Sequence, residues 1–172
     1  MGDGAPGFAA FVLEHSRSLY GTALVLTGKP DAAEELVQDT LARLYPKWAT
    51  VMGADAPLAY VRRALINGFV SSNRGPRATE LVLADLPERP AETDVADRVA
   101  NRQTLMRLLR TLPPSQRAAL VMRYLYDLPD AEIAAALDCR VATVRSLVRR
   151  GIATMHSHYL ATPDAAAQGG LS

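Results

Sequence analysis

Four arginines, Arg140, Arg145, Arg149 and Arg150, fall in the stretch AEIAAALDCRVATVRSLVRR at residues 131–150, with Thr143 and Ser146 between them. A guanidinium can bind the edge of a guanine through two parallel hydrogen bonds or hold a phosphate, and a hydroxyl can bond to either. These side chains therefore suit recognition of nucleic acid. Covalent chemistry is much harder to assemble from this chain. Cys139 is its only cysteine, which excludes an internal disulfide and a cysteine-rich metal site. His156 and His158 stand two residues apart, so a helix points them to different sides, and they read as surface groups near a helix end. No constellation of nucleophile, base and metal ligands stands out. The expectation is no metal, no cofactor and no enzymatic activity.

The arginines need a scaffold, and the spacing of apolar residues supplies one. Ile133, Ala134 and Leu137 make the inner face of a helix over residues 129–137, and Val144, Val148 and Met155 that of a helix over residues 141–156. Two helices around so tight a turn form a helix-turn-helix, in which the first braces the second and the early residues of the second enter the major groove. Arg140, Thr143, Arg145, Arg149 and the Arg150 region are then left on the outer side. Cys139, at the turn, reads as a small packed side chain rather than a redox sensor. An ordinary helical hairpin with a solvated basic face has the same spacing, and on these residues alone both readings stay open.

Charge is unevenly distributed along the chain. The net charge of +1 conceals ten arginines against four acids in residues 98–160, and six acids against one arginine in residues 78–97. A basic half follows an acidic segment, and the sign of each segment says more about partners than the sum does.

The remaining chain is helical in pattern, with no alternating strand. One helix is expected over residues 8–26, ending near Gly28, and a second from Pro30 and Asp31 to Pro46, opened by a capping box of Asp31 and Glu34. In the second, Ala33, Leu36, Val37, Leu41 and Leu44 form an apolar stripe. A third covers residues 58–72. Residues 75–96 contain Gly75, Pro76, Pro87 and Pro90 and read as an acidic flexible linker. Helices resume at Asp97, with Val99, Leu105, Leu108, Leu109 and Leu112 on one stripe stopped by Pro113 and Pro114, and another helix covers residues 116–126. The expected fold is all-α: two small helical domains, residues 1–74 and 97–160, joined by the linker, with the helix-turn-helix in the second. A disordered tail is expected over residues 161–172. No run approaches the roughly 20 apolar residues of a membrane span, and the N-terminus lacks the basic start and apolar block of a signal peptide. A cytoplasmic protein with no membrane insertion is expected.

At this point a family resemblance sharpens the reading. The run TLPPSQRAALVMRYLYDLPDAEIAAALDCRVATVRSLVRR resembles the promoter-reading domain, region 4, of extracytoplasmic-function RNA polymerase sigma factors, with Thr143-Val144-Arg145-Ser146 matching the family's recognition-helix element. DAAEELVQDTLARLY and PLAYVRRALINGFVSSNR resemble region 2 of the same family. The resemblance implies a sigma factor that binds core RNA polymerase and directs promoter-specific initiation. It implies that Glu35, Gln38 and Asp39 contact the clamp of the polymerase's largest subunit, and that the second domain meets the flap region of the second-largest. It also implies that Asn67 holds a flipped base of the downstream, minus-10 element during melting, with Arg62, Arg63, Arg74 and Arg77 on phosphates. Tyr60 and Phe69 suit the core better than base stacking. Arg140, Thr143, Arg145, Ser146 and Arg149 would read the upstream, minus-35 element as duplex, with Arg150 as a phosphate ligand. An anti-sigma factor is a further partner known in the family.

Departures from the family pattern occur at Ile66, Ser71, Ser72, Leu147 and Gly151-Ile152, and they bear on promoter sequence and melting strength. The acidic linker would pass through the polymerase's nucleic-acid channel, or serve only as a solvated spacer. Arginine far exceeds lysine and alanine is abundant, which suggests a high-GC, actinobacterial genome. The competing reading is a stand-alone helix-turn-helix repressor or activator acting as a homodimer, which leaves the first domain without a role.

Overall fold

The computed structural model describes residues 5–73 and 94–161, with residues 94–99 as backbone alone. Every regular element among the described residues is helical: α1 Phe8–Thr27, α2 Pro30–Leu44, α3 Trp48–Met52, α4 Pro57–Ser72, α5 Asp94–Arg110, α6 Pro114–Tyr124, α7 Asp130–Ala136 and α8 Val141–Leu160. Arg74, Arg77, most of the acidic segment and the expected tail beyond residue 161 lie outside the described residues.

Helical spacing accounts for the first unit. Phe11, Leu19, Ala23 and Leu26 bury one face of α1 against Ala33, Leu36 and Leu44 of α2 and Val61, Leu65 and Phe69 of α4. Gly28 ends α1 at φ 72°, and its N–H bonds to Leu24 O at 2.8 Å. A Cβ there would be strained in the left-handed region and would collide with the Arg110 side chain.

The expected capping box at Asp31 does not form. Lys29 is the N-cap, and no side chain caps the helix. Proline, with φ preset and no N–H to satisfy, takes the first helical position, which draws Asp31 inside the first turn. The short α3 was not expected. Five residues have little intrinsic helicity, but Trp48 is 1% exposed, its ring meeting Phe8 and Phe11 edge-on at 4.9 and 5.0 Å, and Val51 is buried beside it. Tertiary burial holds this turn.

In the second unit α6, α7 and α8 surround Ala118, Leu120, Met122, Ile133, Leu137, Val144 and Val148. Helix α5 starts at Asp94, three residues inside the segment expected as linker, α6 stops two residues short of Tyr126, and α8 runs on to Leu160. Leu105, expected on the inner stripe of α5, is 48% exposed, while Leu108, Leu109 and Leu112 are buried.

The two units pack against each other. Helix α1 lies on α5 and α6, α4 lies on α6, and buried apolar side chains of both units form one continuous cluster. Polar contacts cross the seam: the Thr22 and Tyr126 hydroxyls bond to each other, Arg63 Nη2 donates to Ala135 O at 2.7 Å, and Arg117 Nη1 donates to Leu26 O.

Candidate nucleic-acid interface

Helix α7 ends in a turn that sets the direction of α8. Asp138 adopts φ 50°, and the Cys139 N–H reaches back to Ala134 O at 3.0 Å, closing the six-residue loop that commonly terminates a helix. Glycine is the usual residue at such a left-handed position. Aspartate is among the few others that tolerate it. Arg140 is then extended and serves as the N-cap of α8, its carbonyl accepting from Thr143 N at 2.9 Å and Val144 N at 3.2 Å. No side chain caps α8, so the N–H groups of its first turn face outward at the positive end of the helix.

Along α8, Val144, Val148 and Gly151 are buried, and Met155 packs on the same core. All six predicted side chains fall off that arc. Arg140, Thr143, Arg145, Arg149 and Arg150 are exposed and Ser146 is half-buried. Gly151 lets the helix lie close to α6, since a Cβ would come within 2.9 Å of Leu120 Cδ1. Cys139 is half-buried against the core, as expected. Burial raises its thiol pKa, and the charge of Asp138 raises it further.

The residues predicted on the first unit divide into two groups. Glu35, Gln38 and Asp39 are all exposed, and their three- and four-residue spacing puts them on one face of α2. On α4, Asn67 is half-buried and Phe69 is core, as expected, while Tyr60 packs partly against the core. Arg62 and Arg63 are engaged within the protein. Arg62 donates to Ser18 Oγ at 2.8 Å and lies 4.7 Å over the Tyr126 ring, and Arg63 holds the Ala135 carbonyl of α7. In this arrangement these two proposed phosphate ligands contact the second unit.

Two side chains with evident roles escaped sequence reasoning. Asp130 pairs with Arg123 and with Arg145, the latter through Nε at 3.1 Å. Arg117, buried at the seam, donates to Leu26 O, Arg110 O and Leu112 O, and burial, with Arg110 as a smaller cause, pushes its pKa down to about 10. Neither has a periodic signature, because each partner set spans several helices.

A basic helix-turn-helix carried by an all-helical body defines a DNA-binding protein. Residues 102–155 match the family described as sigma-70 region 4, and residues 11–75 match sigma-70 region 2. The RNA polymerase sigma-E factor of Streptomyces coelicolor is 32% identical over 154 residues, 90% of this chain and 86% of that protein. The ECF RNA polymerase sigma factor SigE of Mycolicibacterium smegmatis is 28% identical over 152 residues, 85% of this chain and 59% of that protein. Among solved structures, the sigma factor RpoE in complex with the anti-sigma factor NepR from Bartonella quintana aligns with a TM-score of 0.59 and 25% identity, over 89% of this chain and 96% of that one. The chain belongs to the extracytoplasmic-function sigma factors of the sigma-70 family. It is an alternative sigma factor, a transcription initiation factor acting with RNA polymerase at promoters. The region 2 match gives the first unit the role that a stand-alone repressor left unfilled. Among the described residues no helix is long and apolar enough to cross a membrane.

Proposed function

We propose that the protein acts in the cytoplasm, performs no covalent chemistry itself, and divides promoter recognition between its two units. Domain limits near residues 74 and 97 suit this division. The exposed face of Glu35, Gln38 and Asp39 on α2 docks on the clamp of the largest polymerase subunit, and the second unit meets the flap region of the second-largest. Arg140, Thr143, Arg145, Ser146 and Arg149 read the upstream element in duplex form, and Arg150 holds a phosphate. Asn67 receives a base flipped from the downstream element, with Arg62, Arg63, Arg74 and Arg77 on the backbone. Taking that base out of its stack costs a few kcal/mol. Arg62 and Arg63 reach DNA only after leaving Ser18, Tyr126 and Ala135. An anti-sigma factor regulates the protein in this reading, which draws support from a solved relative captured with one.

The observation that best supports this reading is the division of α8, with Val144, Val148 and Gly151 inward and Thr143, Arg145, Arg149 and Arg150 exposed. Run-off transcription with core polymerase from a high-GC actinobacterium, on fragments of the source genome, tests it. New transcripts that start at defined sites only when the protein is added are expected, and Asn67→Ala should lower open-complex formation more than core binding. Tight binding of the free protein to palindromic duplex, with no transcripts, would overturn the assignment.

A further inference from the structure

Asp130 opens α7 and brings three helices together through one carboxylate. Its Oδ1 pairs with Nη2 of Arg123 in the last turn of α6, and its Oδ2 accepts from Nε of Arg145 on α8 at 3.1 Å. The carboxylate side chain is 20% exposed, whereas that of Arg145 is 72% exposed. The acid is therefore tucked in, and the guanidinium it holds projects into solvent.

The geometry matters because a guanidinium is a planar fork. With Nε fixed, the two Nη groups at the far end remain available, and such a pair can bridge O6 and N7 of guanine. A fixed fork also loses less freedom on binding than a mobile one. Among the described residues Arg145 is the one arginine of α8 in an ion pair. Arg140, Arg149 and Arg150 are in no such pair and keep more freedom, which at Arg150 suits a phosphate contact. Arg123 has its own function in the set. It balances the carboxylate from the inner side, so an acid can sit beside the reading face without repelling the DNA backbone.

The structure assigns Asp130 as a positioning residue, which presents Arg145 to one guanine of the upstream element with Arg123 as its counter-charge. This rests on the reading of α8 as the promoter-reading helix. The test uses holoenzyme assembled from the full chain and core polymerase, on a template library randomised through the upstream element, with transcripts sequenced. Arg145→Ala should flatten the preference at one G·C pair. Asp130→Asn should reduce preference at that same pair by about 3–10-fold, part of the roughly 5–150-fold that a bidentate contact provides. The double variant should match Arg145→Ala, and Asp130→Glu should recover part of the preference.

Thermal unfolding of each variant separates specificity from folding. If Asp130→Asn lowers transcription from all templates alike, or leaves the preference at the Arg145-dependent pair intact, the positioning role is wrong. If Arg145→Ala changes no base-pair preference, the reading of Arg145 fails and this role fails with it. No transcripts from the parent protein would sink promoter reading itself, a result distinct from either.

Discussion

Replacing Arg117 by methionine removes a buried charge while keeping most of the side chain's length. Arg117 is 6% exposed, and no carboxylate pairs with it among the described residues. Its acceptors are instead Leu26 O, Arg110 O at 2.9 Å and Leu112 O at 3.0 Å. They lie at or just beyond the ends of α1 and α5, where carbonyls lack intrahelical donors and helix dipoles present their negative ends. With a pKa near 10 the group stays charged at neutral pH, and burial together with the Arg110 charge disfavours that charge by on the order of 3 kcal/mol. Each bond from a charged donor contributes roughly 1.5–3 kcal/mol. Three such bonds outweigh that cost, so Arg117→Met should lose roughly 2–6 kcal/mol, or on the order of 10 °C in Tm for a chain of this size. Urea unfolding followed by circular dichroism measures the first and a thermal melt the second. Leu26 and the Phe69 ring, 5.7 Å from the guanidinium, both belong to the first unit. The variant should therefore also loosen the seam and enlarge the radius of gyration in small-angle scattering. A variant within about 0.5 kcal/mol of the parent, the range of an ordinary surface change, would refute the reasoning that these carbonyls hold the charge.

Four further outcomes follow from local geometry. Gly28→Ala should destabilise by about 1–2 kcal/mol, the cost of a left-handed backbone to an L side chain, with the collision against Arg110 added, as read by thermal melting. Asp138→Gly should do the opposite and raise stability by up to about 1 kcal/mol at the turn before α8, since glycine takes a left-handed backbone without the cost an L side chain bears, so a lowered Tm would contradict the strain assigned there. The Cys139 thiol should react with iodoacetamide more slowly than a free thiol at pH 8.5, because burial first and Asp138 second raise its pKa, and Asp138→Asn should quicken the reaction. Arg150→Gln should weaken holoenzyme binding to all upstream sequences alike and reduce the salt-dependence slope by about 1, as for any single phosphate contact. A change of base preference would move Arg150 into the reading set.

Periodicity by itself determined the longer helices, the paired helices at residues 130–160 and the exposed arginines of α8, because burial of every third or fourth side chain is a local property written in spacing. Val144 and Val148 had to turn inward, and Arg149 and Arg150 therefore had to turn out. The exposed face of α2 was legible for the same reason. Tertiary structure decided the rest. Trp48 made a helix of a stretch with little helical tendency by burying its indole among Phe8 and Phe11. Pro30 displaced Asp31 from its expected cap, a competition the sequence contained but the capping pattern concealed. The polar partnerships were beyond sequence reasoning: Asp130 meets an arginine 15 residues later, and Arg117 a carbonyl 91 residues earlier. Apolar burial needs only a face, which a periodic pattern announces. A charged group needs a specific partner at hydrogen-bond distance, and across separate helices only their packing brings that partner within reach.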